Sequence, residues 1–249
     1  MNDNTLRVLN FSGRIAYSNY EIVEHVYKMA LELSINNIPG CFVECGVAAG
    51  SKIVAMAQGI IDSGSNETRD LYAYDSFEGI PLATQGDNQQ PGVKILTKEE
   101  ILELPEANDY NQFLRSSGAT VHGLEDFWSN MAKANIGYSL SDPRIEDSTS
   151  IRANLNQGIS ITTVKGWFEY TAKLHNSPIA YLRLDGDMYS ATKVCLENLY
   201  PQLAIGGILE IDDFVLAGCS KAVDEYFEGQ DIKWVKVHPN STVFYMHKT

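Results

Sequence analysis

The sequence predicts a doubly wound α/β protein on a mostly parallel sheet. Two observations carry this. Short apolar, β-rich runs alternate with helical runs along most of the chain. Several of those runs end in glycines or aspartates, where open α/β sheets present ligand sites. The last two runs flank Pro239-Asn240 and predict an antiparallel hairpin at the sheet edge.

The elements follow in order. Residues 15–38 read as a helix, with Ile22, Val23, Val26, Met29, Ala30 and Leu33 at helical spacing. Pro39-Gly40 stops it. CFVECGV is the first strand and SKIVAMAQGIID the next helix, with Ser51 as its expected cap. DLYAYDSF is the second strand. Residues 83–160 read as an insertion with two helical patches, ILTKEEILEL and LEDFWSNMAKA, ending as ISITTVKGWF begins the third strand. NSPIAYLRLDGD, helix TKVCLENLYPQL, GGILEIDDF and helix SKAVDEYFEGQ continue the alternation. With the final pair, KWVKVHPNSTVFYMHK, this makes a seven-stranded sheet in one domain over 1–249. Residues 1–38 are an N-terminal helical extension. A packing helix is favoured there over a lid carrying Tyr17 and Tyr20.

The 249 residues are 44% apolar and 20% charged, enough for a full core. A formal charge of −13 and a pI near 4.7 argue against nucleic acid as a partner. No run of 18 apolar residues and no signal-like start are present, so the expectation is a cytoplasmic protein without a membrane span. Cys41, Cys45, Cys195 and Cys219 form no CxxC pair and read as reduced and buried. The histidines lack ligand spacing, and there is no GxSxG.

FVECGVAAGS reads as strand, glycine turn and helix start. Gly46 permits a sharp turn, and Gly50 lets the helix start pack closely. The turn's N–H groups suit an anionic ligand, although a lone GxxxG fits plain tight packing equally well. GxGxxG is absent. Asp75 ends the second strand, where a carboxylate accepts hydrogen bonds from two ribose hydroxyls or caps the next turn. Together they suggest an adenosine ligand, and S-adenosylmethionine (SAM) rather than a nicotinamide cofactor.

Asp185 and Asp187 lie past one apolar strand, Asp212 and Asp213 past the next. On neighbouring strands they converge and repel one another unless a hard divalent cation, Mg²⁺ or Ca²⁺, sits among them. The plainer readings are an Asp-Gly-Asp turn and an Asp-Asp helix cap.

ECGVAAGS, LYAYDSFEGIP, VKGWF, LRLDGDMYSATKVCLENLYPQL and GGILEIDDF together resemble the macrocin O-methyltransferase (TylF-type) family, from about Pro39 to Phe214 with a gap over 83–160. These are SAM- and Mg²⁺-dependent sugar O-methyltransferases, many of which tailor natural products. The resemblance implies the Rossmann-like sheet of class I SAM methyltransferases, a glycosylated or sugar small molecule as acceptor, and a homodimer or larger homo-oligomer. It implies that Glu44, Cys45, Gly46, Val47 and Gly50 hold the methionine part of SAM, with Ser51 beside them. Asp75 then holds the ribose, with Ser76 and Phe77 near the adenosine. Gly166, Trp167 and Phe168 line the cleft. Asp185, Asp212 and Asp213 ligate Mg²⁺. Asp187 is the general base, with Asp185 its rival. GWFEYTAKLHN and the extra GYSLSDPRIEDSTSIRANLNQ depart from the family pattern and weaken transfer of acceptor identity. A catechol-like phenol is the alternative acceptor. A nicotinamide oxidoreductase lacks GxGxxG and Tyr-x-x-x-Lys here, and a Ca²⁺-binding module leaves Asp75 unexplained.

Overall fold

The computed structural model describes residues 1–65, 68–81, 116–135, 144–145, 150–154 and 158–249. Helices α1 (Asp3–Arg14) and α2 (Tyr20–Ile35) precede β1 (Cys41–Cys45), α3 (Ser51–Ser63) and β2 (Arg69–Asp75). Next come α4 (Leu124–Ala134), β3 (Arg144–Ile145), β4 (Ser150–Asn154) and β5 (Ile159–Lys165). The chain ends with α5 (Phe168–Thr171), β6 (Ile179–Leu184), α6 (Tyr189–Leu199), β7 (Leu203–Ile211), α7 (Ala217–Tyr226), β8 (Val235–Lys236) and β9 (Phe244–His247).

One sheet has the order β3-β4-β5-β2-β1-β6-β7-β9-β8. β5, β2, β1, β6 and β7 are parallel, and β9 joins β7 antiparallel with β8 outside it. These are the seven expected strands. The antiparallel ribbon β3–β4 is added on the outer edge of β5. It falls in sequence read only as extra, because SIRAN is short and its alternation brings only Ile151 and Ala153 as apolar residues. LEDFWSNMAKA is helix α4, as expected, while ILTKEEILEL lies outside the described residues.

The strands alternate their side chains between two helical layers. Phe42, Leu71, Ile161, Tyr181 and Ile208 face the core shared with α1–α4. Val43, Leu182, Leu184, Leu209 and Ile211 face the core shared with α6 and α7. Every residue of β1 and β6 is buried, as central parallel strands require. From the centre, the chain adds β1, β2 and β5 outward to one side and β6 and β7 outward to the other. The crevice between the ends of β1 and β6 is therefore the topological switch point.

The N-terminal extension is two helices rather than one. Asn19 caps α2 by accepting from the Ile22 N–H, so this helix starts at Tyr20 rather than at the expected residue 15. Residues 3–14 carry α1, whose buried face is half polar: Thr5, Val8, Leu9 and Ser12. That thin apolar stripe hid it. Thr5 Oγ1 donates to Asp62 Oδ2 at 2.6 Å, which ties α1 to α3. Among the described residues, no helix is long and apolar enough to cross a membrane.

Candidate functional site

The central strand ends are held in register one residue past their last paired positions. Gly46 N–H donates to Tyr74 O at 2.8 Å, Asp185 N–H to Cys45 O at 2.8 Å and Asp212 N–H to Leu184 O at 2.9 Å. Gly46 has φ +91°, and a Cβ there would lie 1.7 Å from the Asp185 carbonyl oxygen. Only glycine lets the turn after β1 pass this close to the end of β6. Gly50 has φ +86°, and a Cβ there would meet the Met131 and Phe127 side chains of α4 at 2.5 and 2.9 Å. The turn is thus backed by α4, whose Asn130 Nδ2 donates to Ala49 O at 3.1 Å. Among the described residues, Ala48, Phe77 and Asp187 also take positive φ (43°, 57° and 56°), so strained backbone clusters at these strand ends.

Asp75 does what the plainer reading asked. Its Oδ1 accepts from the Phe77 N–H at 2.7 Å and its Oδ2 from the Ala48 N–H at 2.9 Å. The carboxylate locks the glycine turn to the end of β2. Burial raises its pKa, and the backbone donors partly offset this. Ser76 Oγ donates to Gly79 O, and the Phe77 ring packs on Phe127 at 6.1 Å.

Ser51 departs from expectation. Gly50, not Ser51, is the N-cap of α3. The buried Ser51 hydroxyl donates to Ser12 O at 3.0 Å and so pins α1 beside the turn. Val47 is buried in the layer of α1–α4. The Cys45 side chain points into the opposite layer, and all four cysteines are free and buried. Gly166 follows β5 with φ +146°, and Trp167 is the N-cap residue of α5, with its indole N–H sealed from solvent and unpartnered among the described residues.

A charged row crosses the otherwise apolar strands. Glu44, Arg183 and Glu210 stand opposite one another on β1, β6 and β7. Arg183 is fully buried. Its Nε donates to Glu210 Oε1 at 2.9 Å, and its Nη1 to Glu44 Oε1 at 3.0 Å and Asp185 Oδ2 at 2.7 Å. Its Nη2 donates to Asp212 Oδ1. Glu210 Oε2 accepts from Tyr181 Oη at 2.6 Å and faces His25 Nε2 at 3.1 Å. Burial alone would raise the Glu210 pKa, yet His25, Arg183 and Tyr181 pull it down to about 2. One guanidinium cannot serve every neighbour: burial pushes Glu44 up to about 8 despite Arg183 and Lys52.

One pleat further out, Asp185, Asp187 and Asp213 bring carboxylate oxygens within 4.8 Å of one another. Burial, then the charge of Asp185, pushes Asp213 up to about 9 and Asp187 up to about 7. Asp213 Oδ2 is sealed from solvent without a partner. An all-oxygen set with an unsatisfied carboxylate fits a hard divalent cation. The expected trio was Asp185, Asp212 and Asp213. The structure groups Asp187 with Asp185 and Asp213, and turns Asp212 to Arg183. Asp212 continues the face of Glu210 and is taken up by Arg183 Nη2, while the positive-φ turn at Asp187 brings that side chain to Asp185 and Asp213. Burial and Asp185 raise Asp212 to about 6, against the pull of Arg183.

Sequence reasoning missed Arg183, Glu210 and His25. The available signal was a charged residue inside each of three apolar strand runs. His175 is a packing residue, as expected, with Nδ1 3.0 Å from Tyr74 Oη.

Fold and site define an α/β class with a glycine turn at the switch point, a carboxylate on the next strand and an acidic tip beside it. Within that class, the chain belongs to the macrocin-O-methyltransferase (TylF) family, whose pattern matches residues 20–122 and 124–246. Demethyldecarbamoylnovobiocin O-methyltransferase of Streptomyces niveus is 27% identical over 215 residues, covering 84% of this chain and 66% of its own length. Mycinamicin III 3''-O-methyltransferase of Micromonospora griseorubida is 29% identical over 208 residues, covering 82% of this chain and 65% of its own. The chain thus spans just under two thirds of these relatives' length. The solved structure of the O-methyltransferase NovP superposes with TM-score 0.68 at 23% identity, over 94% of this chain and 82% of that one, and shares the fold.

Proposed function

We propose that the protein is a SAM-dependent O-methyltransferase of natural-product biosynthesis that methylates a sugar hydroxyl, with Mg²⁺ at the acidic tip. The observation that carries this is the juxtaposition of the Gly46 turn with Asp185, across the crevice between β1 and β6. Family membership and the two relatives, both named as O-methyltransferases of antibiotic-type compounds, support it.

In this reading the turn from Glu44 to Gly50 and the start of α3 receive the amino-acid end of SAM. Asp75 accepts the Phe77 and Ala48 N–H groups, and a lone pair left on its carboxylate takes a ribose hydroxyl. Ser76 and Phe77 border the adenosine, and Gly166 and Trp167 wall the cleft from the β5 side. Asp185, Asp187 and Asp213, with Asp212 behind them, would hold a divalent cation, which would supply the Lewis acidity that lowers the pKa of the acceptor hydroxyl. Asp187, at the outer edge of this group, takes the hydroxyl proton as base through a carboxylate oxygen left free by the cation. The acceptor oxygen forms a bond to the methyl carbon as the carbon–sulfur bond breaks, which yields a methyl ether and S-adenosylhomocysteine. Orientation in the crevice supplies much of the rate.

The test is methyl transfer from labelled SAM to deoxysugar glycosides, their aglycones and a catechol, with and without EDTA. The proposal expects label on a glycoside only, lost in EDTA and restored by Mg²⁺. Label on the catechol alone would replace the acceptor class, and transfer unaffected by EDTA would remove the cation.

A further inference from the structure

We propose that Arg183 is a positioning residue for the cation site: its buried guanidinium, aimed by Glu210, presets the Asp185 and Asp212 carboxylates before any ion arrives. This rests on the cation reading above.

A buried guanidinium needs a compensating charge, and the Glu210 directly across from it in register already supplies one. Arg183 is nonetheless bonded to four carboxylates from three strands. Two of these, Asp185 and Asp212, lie beyond the strand ends and keep part of their side chains accessible, 24% and 15%. The direction of the guanidinium is fixed from behind. Glu210 Oε1 takes the Nε–H at 2.9 Å, while its Oε2 is held by Tyr181 Oη at 2.6 Å and faces His25 at 3.1 Å. With both oxygens engaged, Glu210 cannot swing. The Nε–H bond then orients the guanidinium plane, and both Nη groups project toward the strand ends. Nη1 reaches Asp185 Oδ2 at 2.7 Å and Nη2 reaches Asp212 Oδ1. The planar fork serves these directions at once, which a lysine ammonium cannot do in the same place. Groups that orient metal ligands in this way set metal affinity by roughly 10–100-fold. The plainer account, a structural ion-pair network with no bearing on the tip, leaves cation affinity untouched.

The experiment titrates the full-length chain with Mn²⁺, reading free ion from its paramagnetic resonance signal. S-adenosylhomocysteine affinity is measured alongside, and circular dichroism reports folding. Wild type is compared with Arg183→Lys and Glu210→Gln. The proposal expects Arg183→Lys to weaken Mn²⁺ binding about tenfold or more and Glu210→Gln several-fold, with S-adenosylhomocysteine affinity within about threefold of wild type. Mn²⁺ affinity within twofold of wild type in folded Arg183→Lys overturns it. So does a parallel fall of both affinities, which marks general loosening. If Arg183→Lys does not fold, unchanged Mn²⁺ affinity in Glu210→Gln overturns it. A wild-type protein that binds S-adenosylhomocysteine but no Mn²⁺ overturns the cation reading as well. Wild-type Mn²⁺ binding with unaffected variants overturns only the role of Arg183.

Discussion

Glu44, Arg183 and Glu210 stand side by side across β1, β6 and β7, while Asp185, Asp187 and Asp213 gather just past the ends of β6 and β7. The inner row is the more deeply buried, yet Glu210 is held down to about 2 because His25, Arg183 and Tyr181 outweigh its burial. The outer group is the more open, yet burial and its own like charges push Asp213 up to about 9. The chain supplies full counter-charge to Glu210 in the first group, only part of it to Glu44, and leaves the second group short. Depth is therefore not what marks a ligand site here; an unmet charge at the switch point is.

The largest expected effect attacks the inner row. Arg183→Met leaves four carboxylates without their guanidinium and should cost about 3–5 kcal/mol of stability in urea unfolding. A loss below about 1 kcal/mol would mean that Arg183 is not what holds the charges of the row in place.

Next comes the outer group. Asp187→Asn should lower methyl transfer by roughly 10²–10⁴-fold while S-adenosylhomocysteine binding stays within error. Equal turnover by this variant would transfer the base role to Asp185 or dismiss it.

The smallest effect is in stability against pH. Asp187, Asp212, Asp213 and Glu44 all have raised pKa values in the folded chain. Between their ordinary values near 4 and about 9, the folded state therefore holds more protons than the unfolded one, and stability falls as pH rises. Glu210 has the opposite sign, and its contribution is lost as pH falls toward about 2. In EDTA the melting temperature should drop from pH 5 to pH 9. Mg²⁺ should restore it at pH 8 and do little at pH 5. A melting curve at pH 8 indifferent to Mg²⁺ would place the outer group with the inner one, as charge the fold already tolerates.

Most of the sheet was legible because its parallel strands are mostly apolar runs, such as IAYL before Arg183, and because Gly46 and the aspartates punctuate their ends. Helix α1 was not, since Thr5 and Ser12 occupy half of its buried face and satisfy themselves on Asp62 and α3. Ser51 misled because a serine at a helix start usually caps it; here Gly50 takes that position and the serine holds α1. The aspartates were legible as a group, but their division was not. Whether Asp187 or Asp212 joins Asp185 and Asp213 depends on the positive-φ turn at Asp187 and on where Arg183 points. A lone sequence displays neither. For the same reason Arg183 passed as one charge in a strand, while Glu44 and Glu210 became its partners only once β1, β6 and β7 were aligned.

Titration calorimetry of the protein with S-adenosylhomocysteine, using NAD as the control, tests the central claim most directly. The account predicts micromolar binding of S-adenosylhomocysteine and no response to NAD. No S-adenosylhomocysteine binding with or without Mg²⁺ would contradict it, and would leave the Gly46 turn and Asp75 as a packing device beside an acidic tip of another purpose.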